Sequence, residues 1–207
     1  MSSFEQLLSG RRVIPGLTGG ELSGVDVLCA HLLRGLLRRE IPANLLLSRP
    51  QRVWNPLPTA EDLPIVKLEE RRNEPWGERW RRMQTYLEAQ ASCIYVPNYD
   101  YDYSCVIPRL SAGVHVVGIV HSDDESHYDH VARVGRFWDA AVAVSRTIAA
   151  ETARLCPRLE NRLTTIPYGV QIPATLPDRP PHDKLRVVFA GAVGPRRVRW
   201  SLARACG

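Results

Sequence analysis

The chain has 207 residues, 44% of them hydrophobic and 24% charged, close to an ordinary soluble globular protein. That excludes a collagen-like, mucin-like or globally disordered chain and leaves room for one large domain or two small ones. Net charge is +5, but Arg196, Arg197, Arg199 and Arg204 in Pro195–Gly207 supply four of those charges with no acid beside them, which leaves +1 on residues 1–194. A body so close to neutral argues against a nucleic-acid-binding face. Lys67 and Lys184 are the only lysines beside 25 arginines, which reads as codon bias and not as phosphate recognition.

No apolar run approaches the roughly 20 residues of a membrane helix, and Met1–Gly10 lacks the apolar stretch of a signal peptide. The expected location is cytoplasmic, with peripheral contact at the inner membrane face as the one membrane association considered. Cys29, Cys93, Cys105, Cys156 and Cys206 contain no Cys-x-x-Cys pair. They read as packed thiols in a reducing compartment, not as a zinc site or a disulfide framework.

Short apolar runs alternate with amphipathic stretches, which predicts β/α units around a parallel sheet flanked by helices. Arg12–Ile14 is a weak first strand, and Pro15–Gly24 a glycine-rich loop. Val25, Leu28, Leu32 and Leu36 then recur at helical spacing, with Ser23 and Asp26 as a capping-box-like start and Pro42 as the stop. Leu45–Leu47 is the second strand. The charged stretch from Glu61 to Gln90 looks helical from about Glu78. Cys93–Val96 is a strand ending at Pro97-Asn98. Val114–Val120 is a buried strand that delivers His121 at its carboxyl end. Ala140–Val144 is another, followed by Ser145 as the N-cap of a helix through Leu155, and Leu163–Ile166 is a short last strand.

Four prolines in Gln171–Asp183 read as an interdomain linker. Leu185–Gly191 then resembles the first strand of a further domain. The expected organisation is therefore a domain over 1–170, a linker over 171–184, and over 185–207 one strand of an incomplete domain with an Arg-rich tail.

Four features could carry chemistry. The loop Gly16–Gly24 lies between a strand and a helix N-terminus, where free backbone N–H groups and the helix dipole suit a diphosphate. It matches neither the dinucleotide fingerprint nor a P-loop, so a plain tight turn stands beside the ligand reading. His121 sits at the carboxyl end of a strand, where open parallel sheets place function. His121–His130 offers three histidines and four carboxylates, but no spacing matches a closed zinc motif, and a solvated loop with a helix start is the preferred reading. Asn98–Tyr103 suits a polar sugar site as well as it suits a surface loop. Ser145 is a cap and not a nucleophile, for want of a Gly-x-Ser-x-Gly elbow. Trp54, Trp76, Trp80 and Trp138 are expected in or at the edge of the core.

The glycine-rich loop followed by Val25–Leu36 resembles the first helix of the family-four glycosyltransferases, as do Val116–Ser122 and Asp139–Ser145 in their own positions. Ile166-Pro167-Tyr168-Gly169-Val170 is similar to the family's Ile-Pro-Asn-Gly-Val stretch before its linker, and Leu185–Gly191 to the strand that opens its C-terminal domain. The resemblance covers about residues 12–191. It implies the N-terminal half of a GT-B fold of two Rossmann-like domains. The implied activity is transfer of a sugar from a nucleotide-diphosphate sugar to a glycan, lipid or small-molecule acceptor, with retention of configuration. It places Gly19 and Gly20, with Gly24 behind them, near the donor diphosphate and His121 against the transferred sugar; Asn98 is the further substrate-binding candidate. No metal and no cofactor beyond the donor are expected.

The departures are Ala192 where the family has Arg, and the missing basic pair and two-glutamate donor motif. They lead us to expect a truncated or frameshifted chain, inactive without a donor domain. The alternatives are a non-enzymatic module binding a sugar, nucleotide or protein, and polyanion binding through Pro195–Gly207.

Overall fold

The computed structural model describes residues 10–19, 23–50, 62–98, 100–169 and 174–175. The chain divides into two units, Met1–Gly169 and Val170–Gly207, and every element named below belongs to the first. Its strands are β1 (Arg12–Leu17), β2 (Leu45–Leu47), β3 (Ile65–Lys67), β4 (Cys93–Pro97), β5 (Val114–Val120), β6 (Ala140–Ala143) and β7 (Leu163–Thr165). They form one sheet in the order β3-β2-β1-β4-β5-β6-β7, and every pairing is parallel. The helices are α1 (Gly24–Leu37), α2 (Trp76–Ala89), α3 (Glu125–Val134) and α4 (Arg146–Leu155).

Strand alternation assigns the two faces. Ile14, Leu46, Tyr95 and Val116 pack with Met83 and Leu87 of α2, Val131 of α3 and Ile148 of α4. Val13, Leu17, Leu45, Leu47 and Val96 pack with Val25, Cys29 and Leu33 of α1. The result is an α/β Rossmann-like fold with helices on both faces of the sheet. No helix among the described residues is long and apolar enough to cross a membrane.

The first strand runs further than its apolar pattern indicates, through Pro15, Gly16 and Leu17, which the sequence suggests are loop. Proline has no N–H to give a ladder, and the gap falls on one side only. Towards β2, Val13 bridges Ala43 and pairing resumes at Gly16↔Leu46. Towards β4, it is unbroken from Arg12↔Cys93 to Gly16↔Pro97. Gly16 is needed for close approach: a Cβ there would sit 2.8 Å from Cε2 of Tyr95.

Three helices start on side-chain caps that the sequence places well. Ser23 accepts from the Asp26 N–H at 3.2 Å, and Ser145 from the Ile148 N–H at 3.2 Å. Asp124 accepts from the N–H groups of Ser126 and His127. α2 instead begins at Trp76 behind Pro75, earlier than Glu78. β3 escapes the sequence reading because its three residues are too few to show alternation.

Cys29, Cys93 and Cys156 are buried and Cys105 is exposed, while Cys206 and Trp54 lie outside the described residues. Trp138 is core and Trp80 packs at its edge. Trp76 is not core: it is 40% exposed, with the guanidinium groups of Arg49 and Arg79 over its ring at 5.4 and 5.2 Å.

Gly118 in β5 lies under the indole of Trp138, and an added Cβ would overlap ring carbons. Gly118→Ala is expected to destabilise by about 1–3 kcal/mol through overpacking. Gly35→Ala, in the interior of α1 with its nearest neighbour 3.9 Å away, is expected to stabilise by about 0.5–1 kcal/mol. Urea unfolding midpoints of the two variants check both signs.

Candidate functional site

The sheet order reverses between β1 and β4, and in open parallel sheets the crevice at such a reversal, outside the carboxyl ends of the strands, is where ligands bind. β1 delivers Thr18 and Gly19 to this edge, β4 delivers Asn98, and β5 delivers His121.

Asn98 is buried and its amide nitrogen donates to two backbone carbonyls, Gly16 O at 3.2 Å and Val96 O at 3.1 Å. Its Oδ1 is thereby turned to His121 Nε2, 3.0 Å away. An amide oxygen only accepts, so Nε2 carries the ring proton and donates. His121 Nδ1 is then an acceptor, and the Tyr168 hydroxyl donates to it at 2.6 Å. Burial, with the neighbouring His127 adding to it, lowers the His121 pKa to about 4, so the ring is neutral near pH 7.

Asp100 lies on the same edge and is wholly buried. Thr18 Oγ1 donates to its Oδ1 at 3.5 Å, and Ser48 also bonds to its carboxyl. Burial pushes this carboxyl up to about 7, against the bonds from Ser48, the Tyr103 N–H and Thr18; the charge of Asp102 adds to the rise. Its Oδ2 and the buried Tyr95 hydroxyl have no hydrogen-bond partner among the described residues. Within the stretch from Asn98 to Tyr103, Asp100 and Tyr103 turn inward and Asp102 outward, while Tyr99 lies outside the described residues.

The histidine- and acid-rich segment divides in the same way. His127 and His130 are buried on the inner side of α3, not solvated. His127 Nδ1 meets Asp124 Oδ2 at 2.9 Å, and His130 Nε2 meets Ser104 Oγ at 3.3 Å. Burial, then the charges of Arg133 and His127, lower the His130 pKa to about 4. Among the described residues no group of three or more His, Cys, Asp or Glu side chains is arranged to hold a metal ion.

The structure brings Asn98 and His121 into direct contact. Gly19 is buried just past β1. Gly24 is the exposed first residue of α1, with open space where a Cβ would be. Gly20 lies outside the described residues. Sequence reasoning did not single out Tyr168, Thr18 or Ser48. Tyr168 was visible as an aromatic at the position of the family's Asn, but its bond to His121 spans 47 positions.

No protein-family profile matches the sequence, and no curated protein matches it. Among solved structures the chain is similar to the apo form of the lipopolysaccharide outer core galactosyltransferase WaaB, at a TM-score of 0.60 and 8% identity. The match covers 84% of this chain and 50% of that one, so the chain spans half the length of the galactosyltransferase. At that identity the likeness is one of fold.

The buried titratable groups set opposing pH dependences. His121 and His130 have lowered pKa values, so they contribute stability above about 6.5 that is lost as pH falls towards 4. Asp100 has a raised pKa, so its contribution is complete below about 4 and lost as pH rises through 7. Between pH 4 and 6.5 the unfolded chain binds two more protons at the histidines and one fewer at the carboxyl. Stability should rise with pH there at about 1.4 kcal/mol per pH unit. Asp100→Asn removes the opposing term and should steepen that slope to about twice the value. Identical slopes for variant and parent, from urea unfolding at a series of pH values, would show that Asp100 titrates normally.

Proposed function

We propose that the crevice at the carboxyl ends of β1, β4 and β5 is a sugar site. On this reading the chain is the N-terminal, acceptor-side half of a family-four GT-B glycosyltransferase. The reaction is transfer of a sugar from a nucleotide-diphosphate sugar to an acceptor with retention. The observation that carries the proposal is His121 Nδ1, a neutral acceptor held in one orientation by Asn98 at the ligand-binding edge of the sheet. It suits a hydroxyl donor, and it repels an anion, whose lone pairs would face its own.

His121 accepts from a hydroxyl of the transferred sugar and holds that ring beside the breaking bond. The departing diphosphate needs the opposite chemistry. Gly19, Gly20 and Gly24 allow backbone N–H groups to approach it before the N-terminus of α1, whose dipole favours an anion. Charge that builds on the leaving group is stabilised there in the transition state. The fold shared with half of a galactosyltransferase supports the glycosyltransferase reading at the level of fold. The donor-holding half is proposed to lie outside these 207 residues, so the chain alone gives no transfer.

Two experiments test the proposal. Reading the coding DNA from codon 185 onward in all three frames should reveal a Gly-Arg turn, a basic residue and a glutamate pair; closure of every frame shortly after Gly207 would favour a binding module. In a protein carrying the donor half, His121→Ala removes one hydrogen bond to a neutral group. It should lower kcat/KM about two- to tenfold at least. Transfer at the parent rate would remove His121 from the reaction centre.

A further inference from the structure

The bonds that join His121 to Asn98 and to Tyr168 differ in how easily they exchange. Asn98 is buried and bonded to two main-chain carbonyls besides His121, so releasing Nε2 would strand groups of the sheet. Tyr168 is 46% exposed, on a run from Thr164 to Gly169 that is exposed throughout. It follows the edge strand β7 and is the penultimate residue of the first unit. Its ring lies nearly parallel to the imidazole, at 14° with centroids 6.1 Å apart. Its hydroxyl lies where a hydroxyl of any incoming ligand would have to lie.

We propose that Tyr168 is a displaceable latch on His121: its phenol fills the position of a substrate hydroxyl at Nδ1, and binding of a sugar requires it to leave. This rests on the sugar-site reading given above. The exchange conserves bonding at the ring, since one O–H donor replaces another. It therefore discriminates by chemistry: a neutral polyol replaces the phenol, whereas sulfate, an anion with no O–H to donate at neutral pH, does not.

The test uses the 207-residue chain with 15N-labelled histidine, as wild type and as Tyr168→Phe, which keeps the ring and loses the hydroxyl. The Nδ1 resonance of His121 should move towards that of an unbonded acceptor in the variant, with Nε2 unchanged. The methyl α-glycosides of glucose, galactose and mannose serve as probes, and sulfate as the anionic control. Removal of a competing bond of about 0.5–1.5 kcal/mol should tighten glycoside binding roughly two- to tenfold. Sulfate should leave Nδ1 unmoved. An Nδ1 resonance identical in both proteins overturns the latch. So does glycoside binding that is equal or weaker in Tyr168→Phe, which leaves the sugar site standing. If no glycoside perturbs His121 in either protein, the sugar site fails and the latch fails with it.

Discussion

The side-chain amide of Asn98 has both of its N–H bonds committed to backbone carbonyls, those of Gly16 and Val96, and the polarity of the crevice follows from that commitment. With the nitrogen turned to the sheet, the oxygen must face His121. That fixes which imidazole nitrogen carries the proton and leaves the other as an acceptor. The same amide ties the carboxyl end of β1 to that of β4, the two strands between which the sheet order reverses. A single residue thus joins the geometry of the fold to the chemistry of its edge.

The edge carries an unusual load of buried polar groups. Asn98, Asp100, Ser104, His121, His127 and His130 all lie below the surface close to the strand ends. Burial disfavours the charged forms of Asp100, His121 and His130, and lowered pKa values at the two histidines and a raised one at the carboxyl are the result. A ring made neutral in this way can recognise a hydroxyl without attracting phosphate. On the proposed sugar-site reading, the anionic part of a nucleotide-sugar is left to backbone N–H groups. Groups perturbed in this way concentrate where chemistry is done, and here they mark the same edge that the strand order marks.

Much of this was legible in the sequence, and the parts that were not have physical reasons. Val114–Val120 announces itself by its apolar run, and its last residue fixes where His121 emerges. Ser23, Asp124 and Ser145 lie where caps belong, although only the first and last were read as such. Pro15 and Gly16 misled, because both punctuate loops far more often than they occupy a central strand. Only the three-dimensional contacts reveal that one faces a gap in the ladder and the other makes room for Tyr95. Asp100 lies in a stretch that suits a sugar site and a surface loop equally by sequence; its buried bonds are to Thr18 and Ser48, far away in the chain. The contacts among Tyr168, His121 and Asn98 join residues from three strand ends, and no local periodicity encodes them.

The central claim is that a sugar occupies the crevice through His121. Saturation-transfer NMR on the 207-residue chain with a set of nucleotide-sugars tests it most directly, because magnetisation reaches only ligand protons held against the protein. The account predicts transfer to sugar-ring protons in the wild type and its loss in His121→Ala. Transfer confined to the nucleotide, or sugar signals of equal strength in both proteins, would contradict it.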